Sequence, residues 1–356
     1  MTTTPPRWDL SNVFPGLETS EFDAAIAQVK LQIDELEKLF TERVRGTDAQ
    51  TPVAELAGLV GEAIERFNKL YDLSGTVRAF IYSFITTDSR NTTARRRMSE
   101  FEQVGVRMQN LNTQFQSWVG RISPALEDVI AANPTAAAHA FMLKEIAEQS
   151  KYLMSDAEEA LAAELNLSGG NSWGNLQGVV TSQLSVDFEL EGKIHKMPLP
   201  AIINLHSHPD ESVRHRAYEA ELALMESMRE PLAASLNGVK GTVNTLDRRR
   251  GRQDALHSAI DDARMDRASL EAMLGAMEAS FPTFRKYFKA KAKRLGKEKL
   301  AWWDIYAPTS YGKDHRPSKK AYDYPDGREF ILENFGKFSP DLSSFARHAF
   351  EHNWID

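Results

Sequence analysis

Leu184–Met197 reads LSVDFELEGKIHKM. Leu184, Val186, Phe188 and Leu190 alternate with polar neighbours, Glu191-Gly192 offers a turn, and Lys193 to Met197 returns. This is the one convincing strand signal in the chain. On both sides of it apolar residues recur in steps of three and four, the period of a helix with one buried face. The expected fold class is mainly α, roughly a dozen helices with one β hairpin near the middle.

Upstream, Trp8 to Leu17 reads as an extended arm, because Pro5, Pro6 and Pro15 oppose helix. Ser20 and Asp23 resemble a capping box, and Phe22, Ile26, Val29, Ile33, Leu36 and Phe40 follow as one narrow stripe. Pro52 opens a second helix that runs to about Thr87. A third carries Met98, Phe101, Met108, Leu111, Phe115, Trp118 and Ile122, with Arg95-Arg96-Arg97 read as a solvated face. Shorter helices follow Pro124 and Pro134, and Ser155-x-x-Glu158 caps another. Ser168-Gly169-Gly170-Asn171 is a turn without the pattern of a dinucleotide loop, and Trp173 to Ser182 suits one more helix or an irregular link.

Downstream the chain is helical again. His206-Ser207-His208 imitates a metal pair, but Pro209-Asp210-Glu211 reads as a first helical turn, so a loop-to-helix junction is expected. His195 stands alone on the hairpin. Helices are expected from the Pro209-Asp210-Glu211 turn, carrying Val213, Ala217, Ala220, Leu224 and Met228, then after Pro231 through Leu246, from Met265 to Ser280 and from Phe284 to Leu295. The lysines of KYFKAKAKRLGKEK are placed on an open face. KLAWWDIYAP, Lys299 to Pro308, should be an extended buried segment with at least two of Trp302, Trp303, Ile305 and Tyr306 in the core. Asp304 within it must find a partner or reach a cleft. Tyr311 to Tyr324 reads as a polar loop, and Asp326 to Phe335 as a helix.

The bulk numbers exclude several classes of function. A net charge of −7 offers no basic field for nucleic acid or an anionic membrane. Zero cysteines exclude disulfides, thiol catalysis, Cys-ligated zinc and iron–sulfur clusters. There is no apolar run of transmembrane length and no signal-peptide pattern at Met1, so a cytoplasmic protein is the expectation.

The stretch Phe338–Asp356, FSPDLSSFARHAFEHNWID, holds the one metal-like spacing. His348, Glu351 and His352 read H-x-x-E-H, in which two histidines one turn apart could hold zinc beside a glutamate base. Ser339 and Pro340 begin a helix whose apolar stripe is Leu342, Phe345, Ala346, Ala349 and Phe350. His348 and Glu351 then lie away from that stripe, beside Arg347, and the reading favours a polar face over a site.

RWDLSNVFPGLETSEF, KYLMSDAEEALAAEL with SGGNSW, the hairpin, SHPDESVRHRAYEA, RRGRQDALHSAI, KLAWWDIYAP and the closing stretch stand in one order. In that order they resemble landmarks of oligoendopeptidase F, in the thimet-oligopeptidase-like family of zinc metallopeptidases. The resemblance implies a helical two-lobed oligopeptidase fold around a channel that hydrolyses short peptides. It also implies two helix histidines and a glutamate on zinc, with a second glutamate as base. None of the nine histidines here is followed by glutamate, so the family's H-E-x-x-H helix has no counterpart among these residues.

The expectation is an N-terminal portion, truncated before the zinc helix: 1–183 as the N-terminal lobe, 184–198 as the hairpin, 199–356 as the first part of the catalytic domain. No catalytic, metal or cofactor-binding residue is assigned. Zinc belongs to the full-length family enzyme and is not expected on this chain, which alone should be inactive. The expected partners are short peptides and its own C-terminal catalytic portion, with neither nucleic acid nor membrane. A non-catalytic helical interaction module, half of a split peptidase, and an independent H-x-x-E-H hydrolase stay open as alternatives.

Overall fold

The computed structural model describes residues 6–309 and 322–355. The chain is 76% helical and its one sheet has two antiparallel strands. It divides into two compact units, Met1–Leu167 with Tyr322–Asp356, and Ser168–Ala321. The hairpin groups with the helix before it. The expected loop Tyr311–Tyr324 lies, up to Ala321, outside the described residues.

In the first unit, α1 (Ser20–Leu39) runs into a π turn at Phe40–Val44, followed by α2 (Val53–Thr87) and α3 (Thr92–Arg121). Thr19, not Ser20, caps α1, its hydroxyl accepting from the Phe22 amide at 3.4 Å. Thr19 has the extended backbone an N-cap needs, while Ser20 is already helical. The stripe buries Phe22, Val29, Ile33 and Leu36 against α2, as its spacing requires. The arm packs too: Phe14 sits edge-on to Phe22 and Phe80, with ring centroids 5.3 and 5.1 Å away. Trp118 is fully buried and donates to Thr47 Oγ1 at 2.8 Å, which satisfies its one polar atom. Four shorter helices follow: α4 (Leu126–Ala132), α5 (Pro134–Ala138), α6 (Ala140–Gln149) and α7 (Asp156–Asn166). Ser155 and Glu158 form the expected capping box on α7.

The second unit starts with α8 (Ser172–Gln183), β1 (Ser185–Leu190) and β2 (Lys193–Pro198), then α9 (Leu199–Asn204), α10 (Glu211–Ser227) and α11 (Arg229–Arg249). Glu191 and Gly192 both have positive φ, 53° and 74°, the two-residue turn that matches strand twist. Register pairs Val186 with Met197 and Phe188 with His195. Phe188 packs with Ile202, Val213 and Ala217 in a small core. Trp173 of α8 presses on Gly238 of α11, where an added Cβ would lie 2.3 Å from the indole ring. After α12 (His257–Asp262), α13 (Arg267–Arg294) is one helix where two were expected. Pro282 lies inside it; the missing N–H leaves the Glu278 carbonyl without its helical donor, yet the helix continues.

The first unit closes with α14 (Tyr324–Phe338) and α15 (Pro340–Glu351), which pack on each other; Ser343 Oγ donates to the Leu332 carbonyl at 2.9 Å. The Asn353 carbonyl accepts from the Asp9 amide at 3.0 Å and ties the end of α15 to the arm. The expected stripe of α15 needs correction. Ala346, Ala349 and Phe350 are half-buried, but Phe345 is 71% exposed and Leu342 is exposed as well. The described chain covers only part of that face.

Candidate functional site

The segment around Asp304 differs from its expectation in an informative way. Trp302–Asp304 is a 3-10 turn, not an extended strand. None of the four large apolar side chains is fully buried: Trp302 is 66% exposed, Tyr306 is exposed, and Trp303 and Ile305 are half-buried. The residue that goes inside is Asp304, at 0% exposure.

Such a carboxylate must be paired, and it is. Arg214 Nη2 donates to Asp304 Oδ1 at 2.7 Å, and Lys297 Nζ donates to Oδ2. Arg214 spends its other donors on backbone: Nε to the Trp303 carbonyl at 3.2 Å, and Nη1 to the carbonyls of His208 and Pro209 at 2.7 and 2.9 Å. Lys297 also holds Glu211 at 2.5 Å, and Lys291 Nζ donates to the Ile305 carbonyl at 2.5 Å. Burial alone would push the Asp304 carboxyl up, but the hydrogen bonds from Arg214 and Lys297 outweigh it and hold it below the ordinary carboxylate range. Burial, helped by the nearby Arg214 charge, pushes the Lys291 ammonium down. Two lysines expected on the open face of the helix thus turn inward, because the turn supplies the oxygens they need.

This knot fixes the start of α10, the last turns of α13 and the aromatic turn to one another. Trp303 is clamped against His215 and Tyr218, with ring centroids 4.1 and 5.4 Å away. Trp302, Ile305, Phe288, Ala292 and Leu300 line a cavity of about 590 Å³, rimmed by Lys289 and Lys299. The arrangement offers an apolar, aromatic wall on a rigid support, suited to hold an apolar side chain.

The candidate metal residues do not come together. His348 and His352 stack at the exposed end of α15, with ring centroids 4.0 Å apart and the Trp354 ring beside both. His352 Nδ1 lies 2.9 Å from the His348 carbonyl, and Glu351 points to solvent. His206 is buried with Nε2 3.1 Å from Glu221, while His208 turns away and accepts from the Asp210 amide at 3.0 Å. His195 is exposed on β2, and Arg96 and Arg97 of the arginine run pair with Glu18 and Asp23. Among the described residues no three His, Asp or Glu side chains are grouped to hold a metal ion. The donors among the described residues do not fit a zinc centre. Sequence reasoning required a partner for Asp304 but could not name Arg214, ninety residues away; the isolated acid in an aromatic run was the only signal.

A family model described as Oligopeptidase F, from the N-terminal part of the M3 peptidases, matches residues 124–185. Oligopeptidase PepF of Bacillus subtilis is 20% identical over 98% of this chain and 50% of its own length. Group B oligopeptidase PepB of Streptococcus agalactiae is 20% identical over 98% of this chain and 56% of its own. The chain thus spans about half the length of the curated relatives it matches. Among solved structures, oligoendopeptidase F of Enterococcus faecium superposes with a TM-score of 0.70 at 15% identity, over 93% of this chain and 65% of that one. A PZ peptidase A solved with an inhibitor gives 0.60 at 15% identity, over 99% and 55%.

The fold is that of the helical oligopeptidases. Along nearly its whole length the chain is similar to oligopeptidases of the F type.

Proposed function

We propose that this chain serves a zinc metallo-oligopeptidase that hydrolyses short peptides inside a channel, and that it supplies binding surface rather than the reacting groups. The observation that carries the reading is that relatives named as peptidases align along 98% of these residues with about half of their own length. On this reading 1–183 is the N-terminal lobe, joined through the hairpin at 184–198 to the first part of the catalytic domain at 199–356. The metal ligands and the base come from residues other than these. Asp304, Arg214 and Lys297 position the aromatic turn, and Trp302 and Tyr306 present it to peptide. No step of the hydrolysis is assigned to a side chain described here.

A short peptide carrying a photoreactive benzophenone tests the binding role. Irradiation with the 1–356 chain followed by peptide mapping should place the label on Lys299–Pro308, and excess unlabelled short peptide should abolish it. Labelling elsewhere, or labelling that competitor peptide does not reduce, would contradict the wall role.

A further inference from the structure

A second cavity, of about 420 Å³, lies wholly within the first unit. It sits at the π turn that ends α1, and Phe40 and Val44 of that turn line it. A π turn widens the helix locally and often marks a site where a side chain or ligand needs room.

Its polar lining is short of partners. The Arg45 guanidinium makes no hydrogen bond or ion pair among the described residues, and that of Arg121 reaches only Ser117 Oγ, at 3.2 Å. Arg43, Arg66, Arg96, Arg97 and Arg107 of the same bundle each hold a carboxylate at 2.5–3.1 Å, whereas Arg78, Arg90 and Arg95, like Arg45, have no ion pair among the described residues. Thr113 is only 9% exposed, lines the cavity, and its hydroxyl has no hydrogen-bond partner among the described residues. Asn110 and Gln114, one helical turn apart on α3, add two amides that are likewise unengaged. The one acid in the lining is Asp156, against two arginines.

We propose that this cavity binds a small oxyanion, a carboxylate or a phosphate. Guanidinium forks match the paired oxygens of either group, and the amide and hydroxyl donors complete a shell around them. This site does not depend on the peptidase reading.

Isothermal titration of the 1–356 chain at constant ionic strength tests it. The probes are inorganic phosphate, N-acetylalanine as its free acid, and the same compound as its amide. Saturable binding of phosphate, of the acid or of both, with none for the amide, is the expected result; which anion binds identifies the source of the ligand. Arg45→Gln and Arg121→Gln should each weaken binding about tenfold or more, with an unchanged circular dichroism spectrum because both side chains are exposed. Thr113→Val should weaken it by a smaller factor. Heats that do not saturate for either anion, equal binding of the amide, or full binding by the Arg45→Gln/Arg121→Gln double variant would overturn the proposal.

Discussion

Asp304 is a single carboxylate on which a whole turn depends. Replacing it by alanine leaves Arg214 and Lys297 without their acid, and loss of one partner of such a buried network costs about 3 kcal/mol or more. Chemical denaturation of Asp304→Ala should read a loss of that size. The pH dependence has a definite sign. The folded carboxyl is held below its ordinary value of 3.8, so its contribution is present above that pH and is lost as pH falls further. Asp304→Asn should flatten this part of the acid-unfolding curve. The neighbouring tryptophans separate burial from density: Trp303→Ala, which loses the contacts to His215 and Tyr218, should cost about 2 kcal/mol, while Trp302→Ala should change stability by less than about 0.5 kcal/mol. Equal melting temperatures for the two variants would contradict this. Here the sequence was legible in chemistry and opaque in direction. An acid among aromatics announced that it needed a partner, but which side chains faced inward depended on a cation ninety residues upstream.

At the scale of elements, most of the chain was legible because helix stripes and caps are local. The hairpin, the Ser155 capping box and the long helices α1 to α3 all follow from spacing of neighbours. What was not legible involves competition between local and distant forces. Separate helices are expected at Met265–Ser280 and Phe284–Leu295, yet α13 passes through Pro282 between them, since one lost backbone bond does not outweigh the helix on either side. The crossing of α8 and α11 rests on a contact that no periodicity announces, the indole of Trp173 lying on the bare backbone of Gly238. Gly238→Val should separate the two helices and cost about 1–3 kcal/mol, visible as faster hydrogen exchange in both. Unchanged exchange in α8 would show that the contact does not hold them.

The molecule as a whole exposes more apolar surface than its spacing led one to expect. Phe338 is 86% exposed, and Phe345, Phe281, Phe284 and Tyr287 are also in the open. Patches of this kind mark surfaces that meet something else, and the 1–356 chain should associate as its concentration rises. Light scattering after size exclusion should show this, and Phe345→Ser should reduce it with little change in melting temperature. The candidate metal residues were the least legible part, because H-x-x-E-H is a pattern of spacing while a zinc site requires convergence in space. His348 and His352 have the spacing and stand at an exposed helix end, without a third donor grouped with them among the described residues. On the proposed reading these residues provide scaffold and binding surface and leave zinc chemistry to residues outside them. The most direct measurement is zinc content of the purified 1–356 chain by atomic absorption, taken together with cleavage of a quenched fluorescent peptide with and without chelator. The account predicts zinc well below one ion per chain and no chelator-sensitive cleavage. One zinc per chain with chelator-sensitive cleavage, both lost in His348→Ala, would contradict it.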